Sequence, residues 1–262
     1  MITLFHSFHI VSIRPWPFLS GLGALTLISS FVLFFKIKLF FSILFSLFCL
    51  VIFSFLWWRD ICREGSLLGD HTNKVQDGLK WGISLFIFSE VLFFVAWFWA
   101  FFHHRIVPTH EIGSLWPPIL ISPFDPFRVP LLNTSILLAS GVFVTWAHHN
   151  IIFSKTIMIP LLLTILLGII FTGFQLFEYI NSAFSIRDGA YGTTFFVSTG
   201  FHGLHVIIGT IFLLYCFFRC YKNQLVSNHH IGLEFSIWYW HFVDVVWLFL
   251  FSFIYWWGFK LY

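Results

Sequence analysis

Seven apolar runs, each long enough to cross a bilayer as a helix, limit what this chain can fold into. They cover about residues 18–35, 39–58, 81–102, 129–147, 156–180, 191–218 and 235–259. Only 10% of the residues are charged, against about 25% in an ordinary soluble domain. These features predict an all-α polytopic membrane protein whose surface faces lipid and neighbouring helices. The first two runs are separated only by Lys36-Ile37-Lys38, which predicts a helical hairpin. The polar stretch 59–80 then divides that hairpin from the rest. Loop 103–128 carries Pro108, Pro117, Pro118, Pro123 and Pro126 and is expected to be irregular and outside the bilayer.

One acid interrupts the third run. Glu90 lies within about 2–3 Å of the midpoint of 81–102 at the helical rise per residue. An ionised carboxylate at that depth is costly, so Glu90 is expected to be protonated, paired, or facing protein or water. Its neighbours at helical spacing are Phe86, Ile87, Phe93 and Phe94. Asp244 is a second acid in the membrane, and His241 is its nearest partner in sequence, three residues away on the same face. That spacing suits a structural polar pair.

Thirteen histidines raise the question of metal binding. His148-His149 and His229-His230 are adjacent pairs, and adjacent residues on a helix point about 100° apart, so neither pair chelates by itself. His202 and His205 are spaced so that they could share an ion, although hydrogen bonding to backbone or neighbouring helices accounts for them more simply. Cys49, Cys62, Cys216 and Cys220 include no Cys-x-x-Cys pair and are expected to be free thiols.

Lys and Arg decide orientation. One side of the membrane would carry eight, namely Arg14, Arg59, Arg63, Lys74, Lys80, Lys155, Arg219 and Lys222. The other would carry six, namely Lys36, Lys38, Arg105, Arg128, Arg187 and Lys260. The excess favours an N-terminus on the cytoplasm-equivalent side. On that side, Trp58, Arg59, Arg63, Glu64 and His71, with Arg219 and Lys222, form a basic and aromatic set suited to phospholipid head groups. A net charge of +3 gives no case for nucleic acid.

Longer stretches carry a family likeness. They include Trp57-Trp-Arg-Asp60, Ser89-Glu-Val-Leu-Phe-Phe94, Trp99-Ala-Phe-Phe-His103, Pro130-Leu-Leu-Asn-Thr134 and Leu138-Ala-Ser-Gly141. Thr145-Trp-Ala-His-His149, the run Thr199–Gly209 and the run Trp238–Leu250 extend it. On these residues the chain closely resembles subunit III of the mitochondrial haem-copper oxidases, from about Arg14 to the C-terminus. The resemblance implies a single domain of seven helices in two bundles, residues 1–70 and 71–262, separated by a V-shaped cleft that holds phospholipids. It implies an accessory role, with no haem or copper and no metal ligand in this chain. Those centres would lie in partner subunits I and II of complex IV, the proton-pumping enzyme that reduces O2 with electrons from cytochrome c.

The same likeness assigns Glu90 to the proton-uptake side of the complex. Lipid contacts would be made by Trp58, Arg63, Glu64, His71, Trp99, His103, Arg219 and Lys222. It also implies peripheral subunits, a place in a respiratory supercomplex, and the mitochondrial inner membrane, with the N-terminus in the matrix and the C-terminus in the intermembrane space.

Two other classes fit seven spans. A retinal-type photoprotein or receptor needs a lysine near the middle of the seventh span, but the lysine there, Lys260, stands at its far end. A transporter with a midplane site at Glu90 would be expected to show repeats or broken helices, and the sequence shows neither.

Overall fold

A computed structural model of the chain describes residues 7–110, 113–119 and 121–259; Lys260 therefore lies outside the described residues. Among those described, seven helices are long and apolar enough to cross a membrane. They are α1 (Trp16–Ile37), α2 (Phe40–Arg63), α3 (Asn73–Ile106), α4 (Val129–Ile152), α5 (Met158–Ile180), α6 (Gly189–Tyr221) and α7 (Ile231–Leu250). The backbone of each is satisfied within its own segment, as a bilayer requires. Two helices continue into a π-helical turn, Glu64–Leu68 after α2 and Phe251–Trp256 after α7.

The largest departure from the sequence reading lies in the 59–80 connection. Arg59, Asp60, Arg63 and Glu64 continue the helical path beyond the apolar run, and α3 already begins at Asn73. Charge decides how deep a helix can sit in a membrane. It does not stop the helix, and neither proline nor a helix-ending glycine occurs before Gly69, whose φ is +72°. The same cause lengthens α3 to 34 residues, with ends that project past the apolar run.

The chain divides into two compact units, residues 1–79 and 80–262. In the first, Lys38 adopts a left-handed conformation, φ 59°, between α1 and α2 and closes the hairpin. Gly23 allows close approach of the two helices: a Cβ there would stand 3.2 Å from Leu50 Cδ1. Ser30 and Ser46 are buried and turn their hydroxyls onto carbonyls of their own helices.

The second unit has an aromatic core built around Trp240 and Trp247 of α7, both fully buried. Lipid supplies no hydrophobic drive between helices, so close packing and interhelical hydrogen bonds must hold them. Trp240 Nε1–H donates to Ser140 Oγ at 2.9 Å, and Trp247 Nε1–H donates to Thr134 Oγ1 at 2.9 Å, so α7 is tied to α4 at two levels. Gly168 of α5 and Gly209 of α6 make room for the Trp240 ring; a Cβ on either would come within 2.7 or 2.9 Å of it. The proline-bearing loop after α3 is irregular. It is held to the bundle by Trp116, which packs on Phe101 and Tyr191 with ring centroids 5.5 and 5.3 Å away. The four cysteines are free thiols.

Candidate functional site: paired acids and membrane-edge cations

Glu90 meets α6. Its Oε2 stands 3.0 Å from His205 Nε2. His205 Nδ1 lies 2.6 Å from the Phe201 carbonyl, an acceptor only, so Nδ1 carries a proton. One further proton then belongs to the Glu90–His205 pair. It sits either on the carboxyl, which donates to Nε2, or on the imidazole, which donates to the carboxylate. Either way the pair as a whole carries no repulsion between two acceptors. Phe94, nearly fully buried, packs edge-on against His205 at 5.2 Å, and Tyr239 stacks on its other side at 6.2 Å. The helical neighbours named from sequence describe the apolar wall, whereas His205, 115 residues away in the chain, is the partner that sequence reasoning missed. Hydrogen bonding of His202 and His205 to backbone or neighbouring helices is the simpler expectation, but the spacing does not say which helix or which residue is met.

Those two histidines serve different partners. His202, fully buried, places Nε2 3.2 Å from the Val243 carbonyl and packs against Trp247 and Phe171. It supports the α6–α7 contact, while His205 serves Glu90.

Asp244 is buried, and its Oδ2 stands 3.5 Å from His241 Nδ1. His241 Nε2 in turn lies 3.3 Å from Thr145 Oγ1 of α4. Gly141 permits this approach, since a Cβ there would lie 2.7 Å from Asp244 Oδ2. The polar pair thus sits at the α4–α7 contact, one to two turns from the Trp240 anchor.

A third buried acid escaped the sequence reading. Glu178 is only 2% exposed and accepts a hydrogen bond from Tyr255 Oη at 3.1 Å. It lies near the end of α5. The bundle covers it because α7 continues through the π-helical turn that carries Tyr255.

Two acids of the first unit gather partners near the end of α2. Glu64 is buried, with Arg14 Nη1 at 2.7 Å and His9 Nε2 at 3.5 Å. Asp60 accepts from Trp16 Nε1 at 2.6 Å and from Arg59. His71 packs over Gly65, where a Cβ would stand 2.7 Å from its ring. Arg63 and Trp58 remain exposed. Sequence reasoning grouped Glu64 with the head-group residues and missed Arg14 and His9 as its partners, which arrive from before α1.

In the second unit, Trp99 and His103 are exposed near the C-terminal end of α3, and exposed Lys222 follows the end of α6. Arg219 is partly covered and reaches over Gly232 at the start of α7; a Cβ there would lie 2.9 Å from Nη1. Because α3 and α6 both cross the membrane, alternation of the spans puts Trp99 and His103 on the face opposite Arg219 and Lys222.

Known proteins share this sequence over nearly its whole length. Residues 6–259 match the family model described as cytochrome c oxidase subunit III. The chain is similar to cytochrome c oxidase subunit 3 of Rhipicephalus sanguineus, 56% identical over 257 residues, covering 97% of this chain and all of that protein. It is similar to the protein of the same name from Mammuthus primigenius, 53% identical over 255 residues, covering 97% of this chain and 98% of that one. The Formosania lacustris protein is 52% identical over the same shares. Matches of this extent leave no support for a free-standing transporter or receptor. A seven-helix membrane chain with this coverage and identity belongs to the cytochrome c oxidase subunit III family.

Proposed function

We propose that this chain is the accessory subunit of the mitochondrial oxidase and has no redox centre of its own. It braces subunits I and II, holds phospholipids at its membrane edges and sustains proton uptake by the complex. The reduction of O2 by electrons from cytochrome c, and the haem and copper that perform it, belong to the partner subunits. The chain lies in the inner membrane with its N-terminus in the matrix.

The observation that carries this reading is the Glu90–His205 pair. A midplane acid that is neutralised inside its own subunit by one histidine can hold a proton, and that histidine is itself packed against aromatic rings. The histidines within the bundle are committed to local partners: His202 to Val243, His205 to Glu90, and His241 to Thr145 and Asp244. That donor chemistry supports packing and proton holding over haem or copper ligation.

The exposed ends suit lipid. Arg63 and Trp58 stand at the end of α2, whose lipid-facing side carries exposed Phe41, Phe45, Phe48 and Phe55. A phosphate would meet the Arg63 guanidinium while acyl chains lie along those rings. Glu64 acts through Arg14, which it holds at the same level, and His71 closes that end of the hairpin. In the second unit, Arg219 and Lys222 are the phosphate partners on one face, and Trp99 and His103 line the lipid boundary on the other.

The test is the assembled oxidase carrying Glu90→Gln. Its amide can still donate to His205 Nε2, so the subunit should co-purify with the haem-bearing partners and the initial rate of O2 reduction should be unchanged. The activity should then decline sooner during continued turnover. An immediate loss of O2 reduction would make the residue catalytic and overturn the accessory reading. An unchanged time course would reduce the pair to packing alone.

A further inference from the structure

Two adjacent histidine pairs, neither able to chelate alone, flank different helices: His148-His149 in the last turns of α4 and His229-His230 before α7. The fold brings one member of each together. His148, His230 and Glu234 present donor atoms that all lie within 4.8 Å of one another.

The protonation geometry at His230 is informative. Its Nδ1 lies 3.2 Å from the Val226 carbonyl, which can only accept, so Nδ1 bears the proton and Nε2 presents a lone pair. This is the usual way a metal-binding imidazole is oriented, with the outer nitrogen anchored on a carbonyl. Nε2 has no hydrogen-bond donor, although His230 is only 8% exposed. Facing it at 3.3 Å is Glu234 Oε1, a second acceptor. Two acceptors directed at each other in a covered site need either a shared proton, as at Glu90 and His205, or a metal ion between them. The separation also fits a metal: two ligands, each about 2.0–2.1 Å from a tetrahedral zinc, stand about 3.3–3.4 Å apart.

His148 completes the set from α4. Its ring lies 6.1 Å from that of His230 at 65°, and its donor nitrogen falls within 4.8 Å of those of His230 and Glu234. Two imidazoles and one carboxylate with a fourth position open to water form a zinc donor set. The three residues are carried by helix ends, so the ion would arrive from the aqueous face, and both His148 and Glu234 keep partial exposure.

We infer that His148, His230 and Glu234 form a zinc-binding site that clamps the C-terminal end of α4 to the start of α7. The ion is not a redox centre and has no part in electron transfer. It cross-links two helices that Trp240 and Trp247 already join deeper in the membrane.

The experiment uses the intact oxidase complex, stripped with a chelator and titrated with Zn2+. Anomalous diffraction at the zinc edge from crystals of the wild-type complex should show a peak bounded by His148, His230 and Glu234. The Glu234→Gln and His230→Ala complexes should each bind one zinc fewer than wild type at micromolar Zn2+, with affinity at this site lowered at least about tenfold. Glu234→Gln keeps the size of the side chain and can donate to His230 Nε2, so it assembles even where His230→Ala does not. No anomalous density at this centre, or equal zinc stoichiometry in wild type and the Glu234→Gln complex, would overturn the site. It would then leave a shared proton as the cation between His230 and Glu234.

Discussion

Gly168→Ala tests the packing that holds the second unit together. A methyl on Gly168 would come within 2.7 Å of Trp240 Cη2 and 2.9 Å of Thr210 Oγ1. The indole has little room to retreat. Gly209 lines the next part of its rim, where a Cβ would stand 2.9 Å from Cε3. On the far side, Nε1–H is tied to Ser140 Oγ at 2.9 Å, and the residue is fully buried. Carbon atoms in contact prefer about 3.5–4.0 Å, so the ring or α5 must move by roughly 1 Å.

Overpacking of this kind costs about 1–3 kcal/mol, which is about fivefold to 150-fold in the equilibrium that keeps the bundle folded. The assay is stepwise heating of the assembled oxidase in detergent, followed by the fraction of this subunit that stays with the complex. The variant should dissociate at a lower temperature than wild type. Trp240→Phe removes the atoms that clash, so the double variant should be less destabilised than the sum of the two single changes by about 1 kcal/mol or more. An unchanged transition for Gly168→Ala, or strict additivity in the double variant, would refute the argument that the two glycines are there to admit the indole.

Further outcomes follow from single contacts. Trp247→Phe removes the donor to Thr134 Oγ1 and should destabilise the α4–α7 contact by about 1 kcal/mol, read by the same heating assay; an unchanged transition would show that the bond contributes nothing net. Tyr255→Phe should cost about 1–3 kcal/mol, because it leaves Glu178 Oε2 without its donor inside the bundle while Oε1 already has none. Glu178→Leu added to Tyr255→Phe should recover part of that loss, and no recovery would argue against a desolvation cost. Arg63→Ala should lower the phospholipid that co-purifies with the complex without changing its haem content. Equal phosphorus content in variant and wild type would remove Arg63 from the lipid contacts.

The candidate site was only partly legible beforehand. Glu90 and Asp244 stand out in a chain because an acid within an apolar run is conspicuous whatever surrounds it. Glu178 is more deeply buried than either, yet its place at a run's end hid it, since burial there depends on how far α7 extends. His241 could be paired with Asp244 because three residues on a helix is a local distance. His205 could not be paired with Glu90, nor Arg14 with Glu64, because those contacts join separate helices or segments, and hydropathy carries no record of which faces meet. The histidine doublets show the same limit: each weighed by itself is a poor chelate, while the combination of one residue from each doublet with Glu234 exists only in three dimensions.

The sequence by itself determined the number of membrane helices, the tight α1–α2 hairpin and the family. Span length, charge exclusion and long residue runs are properties of the linear chain. Tertiary structure decided where the charged ends lie along α2 and α3, which glycines face Trp240, and which partner each buried acid receives. Those outcomes depend on helix rotation and close approach. In a bilayer, where every helix is apolar all round, they are settled by small residues and interhelical hydrogen bonds rather than by any stripe readable along the chain.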